Sequence, residues 1–470
     1  MLFATLSTLS LVALCFASAD DIEKIKQLKL EDVDIVSVEL VKAGTEVGAS
    51  EAGGKKKPGA KATSDLVLVK ARAKPPSKVK IAVALPFSKE KWNGRFLGNG
   101  NGGMGQSLSL NGPVNCANAG YASAHCDLGT AEWWKDMDNL DVVLADFGHD
   151  AVYMMTRTGK KVAEAYYGRA PERSYYVGGS TGGQEGLSIA ARHPSEYDAV
   201  ALLYPVSDRT ALHTRFVYER ALLHPGKRFS DDQIARISKE IVAQNKNNPW
   251  EPKDSKPYLK YPEKAKVDYE KLDFLTKDQI DVLTKIHSPF LDPQTGAFVT
   301  FGLPPSCEIA DNGKSLKWGF GDWMVQWFFK KNKIDPSGID LHRYAVEFKK
   351  RFSPTADVAP NLGKFRARGG KLLVLQGKID TIVPASYICD WYSALCKNTG
   401  SFEKTRDFAR VFLLPGGWHG NISGVDMLGI ARNWAEKGIA PESIKATVNV
   451  NGQKYTEEAE LFVPEEDEEE

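Results

Sequence analysis

The stretch Tyr175 to Gly183, Tyr-Tyr-Val-Gly-Gly-Ser-Thr-Gly-Gly, constrains this chain more than any other. An apolar strand pattern runs into Gly-x-Ser-x-Gly, and a helical pattern continues to Arg192 before Pro194 stops it. Only small neighbours permit the tight strand-to-helix turn that lifts a serine hydroxyl clear of a sheet. The stretch therefore demands a strand with a helix folded back beside it, and it offers Ser180 as a nucleophile. With glycine at 41 of 470 positions, a structural Gly-rich turn is the competing reading of this pattern alone.

Two later segments supply what such a serine needs. Lys371 to Gln376 reads as a buried strand, and Asp380 lies in the loop beyond it; Val411 to Leu414 reads as a further strand, followed by Pro415-Gly416-Gly417-Trp418-His419. A hydroxyl is a weak nucleophile at neutral pH and requires an imidazole to take its proton, with an acid to fix the tautomer and stabilise the imidazolium. Taken singly, a turn aspartate and a structural histidine are commoner fates for these residues. The order Ser180, Asp380, His419 is that of α/β-hydrolases, and the long gap between Ser180 and Asp380 is what an inserted lid would produce.

A third requirement is a pair of N–H groups for the developing oxyanion, one after the nucleophile and one from an earlier strand-to-helix loop. Gly98-Asn99-Gly100-Asn101-Gly102-Gly103-Met104-Gly105 provides such a loop; Gly103 and Thr181 are the expected donors. The same residues match Gly-x-Gly-x-x-Gly, but the acidic partner and strand-helix-strand setting of a dinucleotide site are missing.

Strand and helix patterns alternate from Leu66 to about residue 210 and return at Lys371, which argues for an α/β fold with a largely parallel sheet. The expected organisation is a leader at 1–19, an α/β-hydrolase core at 20–210 with a solvated loop at 48–64, a large inserted lid at 211–345, the second part of the core at 346–455 and an acidic tail at 456–470. Met1 to Ala19 carries no charge, has an apolar run around Leu9 to Phe16 and ends Ala17-Ser18-Ala19, the pattern of a cleaved secretory signal. Its apolar run is shorter than the ~20 residues that span a bilayer, and no other segment could span one. Lys+Arg of 61 against Asp+Glu of 60 leaves a net charge of +1, so the whole chain shows no footprint for nucleic acid or an anionic membrane. Removal of the leader leaves Cys116, Cys126, Cys307, Cys389 and Cys396, an odd set in an oxidising compartment. Cys389 and Cys396 are seven apart on a helical pattern, about 10 Å along its axis, which makes Cys116 with Cys126 the expected bridge.

Taken together these segments resemble the tannase and feruloyl esterase family. The matching pieces include Trp92-Asn93-Gly94-Arg95-Phe96-Leu97-Gly98, Asp146-Phe147-Gly148, Ala165-Tyr166-Tyr167-Gly168, Ser180-Thr181-Gly182-Gly183, Leu275-Thr276 with Gln279, Gly377 with Asp380, and Lys437-Gly438-Ile439-Ala440-Pro441-Glu442, in one order over residues 78–448. The resemblance implies a secreted serine carboxylesterase that hydrolyses esters of phenolic acids, hydroxycinnamic or gallic, through an acyl-serine, with Ser180, Asp380 and His419 on the family's triad positions. The other class of reading is a catalytically silent hydrolase-fold protein that binds aromatic ligands or a protein partner.

The chain departs from the family in two places. Members carry a cysteine just before the nucleophile and another beside the histidine, joined to each other; here those positions are Gly179 and Trp418, so packing must hold the triad. Members also hold calcium in an Asp-rich lid loop, whereas Asn245-Lys246-Asn247-Asn248-Pro249-Trp250 offers no such cluster. The expectation is no metal and no cofactor, and a small aromatic ester as the partner. His125 and His149 are candidates for the pocket wall, and Trp133, Trp134, Trp323, Trp327, Phe328 and Phe329 for a surface against a planar ring, with core packing the commoner role. Asn421-Ile422-Ser423 is a glycosylation sequon, expected unmodified because a glycan there would crowd the His419 loop.

Overall fold

The computed structural model describes residues 19–465 apart from 53–54, 132–136, 224–225, 255, 314–315, 317–325, 327 and 329–337. The expected leader lies outside the described residues except for Ala19, which opens a helix Ala19–Lys26.

A single twelve-stranded sheet orders the chain. Its strands are β1 (Val33–Val41), β2 (Leu66–Ala73), β3 (Lys80–Pro86), β4 (Arg95–Asn99), β5 (Ala122–Cys126), β6 (Arg173–Gly179), β7 (Ala199–Leu203), β8 (Lys371–Gly377), β9 (Ala409–Leu414), β10 (Ile422–Ser423), β11 (Ile444–Val450) and β12 (Gln453–Leu461). They lie in the order β1-β2-β3-β5-β4-β6-β7-β8-β9-β12-β11-β10. The run from β5 through β4, β6, β7 and β8 to β9 is parallel, and the flanking strands are antiparallel.

Burial follows from that placement. A parallel strand with helices on both faces has no wet side, so its sequence reads as an unbroken apolar run; in β8 every residue after Lys371 is buried. β11 instead alternates buried and more exposed positions, because only one of its faces meets the core. Helices Ala151–Tyr167, Thr181–Arg192 and Ala385–Thr399 cover one face, where Phe96, Tyr176, Leu202 and Val374 gather. Helix Met427–Lys437 covers the other, where Leu97, Tyr175, Leu373 and Phe412 lie.

Between β7 and β8 the chain forms helices Arg209–Leu222, Asp231–Asn245, Lys277–His287 and Leu341–Ala356 and a small hairpin of Phe290–Leu291 with Phe298–Thr300. Capping boxes start two of these helices, Ser230 with Gln233 and Thr276 with Gln279, each satisfying two otherwise orphaned amides. Ile234, Ile237, Ile241, Val282 and Ile286 join the same apolar cluster as Leu373 and Phe412, so this segment shares its core with the sheet.

Three expectations are corrected. Residues 48–64 are not a plain solvated loop: Glu46–Val47 pairs with Ala60–Lys61, Ser50–Ala52 pairs with Lys55–Lys57, and Val47, Ala60 and Ala62 are buried. The acidic tail begins later than residue 456, because Gln453–Leu461 is β12, paired with both β9 and β11. The alternating polar and apolar side chains there keep one face in water, which is what made them read as tail. Cys116 and Cys126 do not bridge; all five described cysteines are free thiols. Cys126 points into the cluster on one face of the sheet while Cys116 packs against the cluster on the other, with its thiol donating to Asn99 Oδ1 at 3.5 Å.

Helix Arg209–Leu222 carries a buried ion pair, Arg215 with Glu219, whose side chains are 1% and 2% exposed. Arg215 Nη2 also donates to Thr381 O at 3.0 Å and Ile382 O at 2.9 Å, which anchors the loop carrying Asp380. Removing one member of such a pair strands the other charge, so Arg215→Met should lower the unfolding free energy by about 3–5 kcal/mol. Urea unfolding followed by tryptophan fluorescence measures it; a loss below about 1 kcal/mol, the range of an exposed pair, would show that the anchor is dispensable.

Candidate functional site

Ser180 links β6 to helix Thr181–Arg192 with φ 58° and ψ −119°, a conformation L-residues avoid. Backbone contacts enforce it: Ser180 N donates to Leu203 O at 3.1 Å, and Ser180 O accepts from Gln184 N at 3.1 Å and Val206 N at 3.3 Å. The glycines around it are needed for close approach, since a Cβ on Gly178 would lie 2.4 Å from Gly182 O and one on Gly183 2.4 Å from Pro205 Cα.

Asp380 is fully buried. Its Oδ1 accepts from Ile382 N at 2.8 Å and Val383 N at 2.9 Å, leaving Oδ2 to meet His419 Nδ1 at 3.0 Å. Two backbone donors fix the carboxylate so that its free oxygen aims at one imidazole nitrogen, which sets the tautomer with Nε2 as the free base. The His419 loop is closed by Asn421, whose Oδ1 accepts from Trp418 N at 2.7 Å and whose Nδ2 donates to Gly416 O at 3.1 Å and Asn449 O at 3.3 Å. The sequon asparagine is thus engaged on both sides of its amide.

Asp380 and His419 are therefore brought into contact; Ser180 Oγ and His419 make no hydrogen bond with each other in this structure. Such bonds are often loose before substrate binds. The ring of Tyr204 lies 4.2 Å from that of His419.

The Gly-rich loop packs directly on the first turn of helix Thr181–Arg192. Gly182 N donates to Asn101 O at 2.7 Å, Thr181 Oγ1 to Gly103 O at 2.5 Å, and Asn101 N to Glu185 Oε1 at 3.0 Å. Arg209 braces the turn, with Nη2 donating to Thr181 Oγ1 at 3.0 Å and Nε to Gln184 Oε1 at 2.6 Å. The N–H groups of Gly103 and Thr181 have no hydrogen-bond partner among the described residues, and a Cβ on Gly103 would meet nothing within 4 Å, so that part of the loop faces open space. Burial pushes the Glu185 carboxyl up to about 7.

Beside this loop is a cavity of about 540 Å³. Asn99, Ser107, Ser109 and His125 contribute its polar wall, and Val177, Ala201, Leu203 and Met427 its apolar wall. His125 Nδ1 accepts from Ser109 N at 3.3 Å, and burial holds the imidazole down at about 4; it is neutral at pH 7, with its proton on Nε2. His149 is engaged elsewhere, by Asp150 Oδ1 at 2.6 Å. Phe328 packs edge-on against Tyr344 and Phe348, which is core packing; Trp133, Trp134, Trp323, Trp327 and Phe329 lie outside the described residues. Among the described residues no group of three or more His, Cys, Asp or Glu side chains could hold a metal.

Sequence reasoning did not find Tyr204, Arg209 or Glu185, and met Asn421 only as a sequon beside the His419 loop. Glu185 carried one signal, a charge inside a segment otherwise apolar or small; Arg209, next to Asp208, and Tyr204 carried none, since a charge in a polar stretch and an aromatic at a strand end are ordinary.

A sheet with a parallel six-stranded centre and helices on both faces, a serine at the sharp turn after β6 and an acid and a histidine after β8 and β9 define an α/β-hydrolase. The chain belongs to the tannase and feruloyl esterase family, whose profile matches residues 65–464, and so to a family of carboxylic ester hydrolases. A probable feruloyl esterase B-2 from Aspergillus flavus is 26% identical over 406 residues, covering 77% of this chain and 76% of its own; an uncharacterized esterase from Xanthomonas campestris is 24% identical over 452 residues, covering 81% and 77%. Among solved structures, feruloyl esterase B from Aspergillus oryzae superposes with a TM-score of 0.79 at 18% identity, covering 94% of this chain and 96% of its own. Tannin acyl hydrolase from Aspergillus niger gives 0.74 at 17%, covering 96% and 92%.

Glu185 makes the packing of loop on helix pH-sensitive. A carboxyl raised by burial binds its proton more tightly folded than unfolded, so stability is fullest below the ordinary carboxylate range and falls as pH rises from about 4.5 to 7. Glu185→Gln should flatten the dependence of Tm on pH across that window; a slope identical to the parent's would mean that Glu185 does not titrate there.

Proposed function

We propose that the chain is a secreted serine carboxylesterase acting on esters of phenolic acids, hydroxycinnamic or gallic. The observation that carries the reading is the Asp380–His419 contact at 3.0 Å, with the carboxylate held by two amides, next to a serine in the strained turn of a nucleophile. Ser180 Oγ attacks the ester carbonyl carbon as His419 Nε2 takes its proton, while the Gly103 and Thr181 N–H groups receive the oxyanion. Collapse breaks the bond to the alcohol oxygen, which leaves with the proton from His419. Water then attacks the acyl-serine by the same route, freeing the acid and returning the proton to Ser180.

Supporting the substrate class are the family membership and the activities for which the feruloyl esterase and tannin acyl hydrolase relatives are named. Supporting secretion is the uncharged, apolar stretch before Asp20. The cavity beside the Gly-rich loop suits one substituted ring, with an apolar wall for its face and the His125 Nε2–H for a ring oxygen.

A second reading, a silent binder of aromatic ligands or a protein partner, draws on the missing hydrogen bond between Ser180 and His419. Hydrolysis of methyl ferulate, methyl gallate and p-nitrophenyl acetate, with Ser180→Ala as control, separates the two. Ser180→Ala should lower kcat by at least about 10⁴-fold with Tm unchanged; turnover that persists in it ends the serine mechanism, and a parent that hydrolyses none of the esters favours the binder. His125→Leu should raise KM for methyl ferulate about tenfold, the worth of one hydrogen bond, and leave KM for methyl cinnamate, which has no ring oxygen, within about twofold. Equal changes for both esters would remove His125 from ring recognition.

A further inference from the structure

Tyr204 is held in a conformation that needs explaining. It follows β7 with φ 37°, a left-handed value that costs an aromatic residue free energy unless its surroundings enforce it. Its N–H donates to Leu375 O at 3.0 Å, fixing it between β7 and β8, and Pro205 behind it lies under Gly183 of the nucleophile helix. The ring therefore projects to one place. On one side it rests on Gly179, the residue before Ser180: a Cβ there would come within 2.9 Å of Tyr204 Cε2 and 3.5 Å of Cζ. On another it meets His419, with centroids 4.2 Å apart and planes tilted by 42°.

One rigid ring thus touches both the backbone that presents the serine and the imidazole that must serve it. The two have no hydrogen bond between them, and no disulfide joins their loops. Asp380 fixes the tautomer and one end of the imidazole, but a single hydrogen bond leaves the ring free to swing about it. The packing that Gly179 and Trp418 leave to be supplied is found here.

We propose that Tyr204 is the positioning residue of the site, a spacer whose ring sets His419 against the Ser180 turn. The proposal rests on the serine reading above. The phenol hydroxyl has no part in it; the ring does. It also gives Gly179 a reason to be glycine, because a side chain at 179 and the Tyr204 ring compete for the same space.

The test uses full-length protein and the second-order rate of labelling by a fluorophosphonate, which reports Ser180 activation without choosing a substrate. Tyr204→Phe, which keeps the ring, should react within about threefold of the parent. Tyr204→Ala should react roughly 10–100-fold more slowly, as expected when reacting groups shift by about 1 Å, and on a phenolic ester the loss should fall on kcat with KM within about twofold. Gly179→Ala should slow labelling by displacing the ring, and that penalty should vanish in the Gly179→Ala, Tyr204→Ala double variant, since the atom it collides with is gone. Labelling of Tyr204→Ala at the parent's rate, or a Gly179→Ala penalty of equal size in both backgrounds, overturns the proposal. If the parent does not label, the serine reading fails separately. The proposal is then decided by proton NMR of the imidazole N–H shared by His419 and Asp380, identified by its loss in His419→Gln: broadening in Tyr204→Ala and sharpness in Tyr204→Phe support it, and an unchanged signal in Tyr204→Ala overturns it.

Discussion

Backbone lying directly on backbone is the constraint on which the rest of this structure depends. Where the Gly-rich loop crosses the start of helix Thr181–Arg192, a Cβ on Gly100 would lie 2.6 Å from Gly182 Cα, and one on Gly182 would lie 2.8 Å from Asn101 O. No side chain larger than hydrogen can occupy that contact. The closeness lets Gly182 N reach Asn101 O and Asn101 N reach Glu185, while the Gly103 and Thr181 amides have no hydrogen-bond partner among the described residues. The strained serine, the loop and the first helical turn thus stand or fall as one unit.

Beneath that unit the chain buries charges rather than avoiding them. Arg209, Arg215, Glu185 and Glu219 are all nearly inaccessible; three are tied to a group that carries or flanks the site, Arg209 to Thr181, Glu185 to Asn101 and Arg215 to the Asp380 loop, and Glu219 pairs with Arg215. Burial of such groups is unfavourable unless their partners are in place. The arrangement trades stability for a single permitted geometry, because any displacement of the loops strands a charge. Helix Arg209–Leu222 supplies three of these four residues, so the first element after β7 supports the site as well as bridging to the inserted helices.

Local chemistry decided what could be read from the sequence. The turn at Gly178 to Gly182 announces itself because only small residues tolerate it, and β8 because a strand buried on both faces must be apolar throughout. What escaped depends on which residues meet across long separations. Cys116 and Cys126 are ten apart in the chain yet face opposite sides of the sheet; the residues from 456 look like the start of a tail until β9 is seen beside them. Tyr204 is ordinary in sequence and becomes informative only when its ring lies between Gly179 and His419, 240 positions apart.

The C-terminal hairpin has a consequence for the order of events during synthesis. β12 is the strand that pairs with the end of β9, at Phe412 and Leu413, and Asn449 O, just before the hairpin turn, receives the Asn421 amide that closes the histidine loop. The Ser180 turn and the Gly-rich loop packed on it take their contacts from residues up to Arg209, but the histidine loop has no outer support until Asn449 and the strand after it have left the ribosome. The loop that holds His419 against Asp380 is therefore the last part of the site whose supports are synthesised.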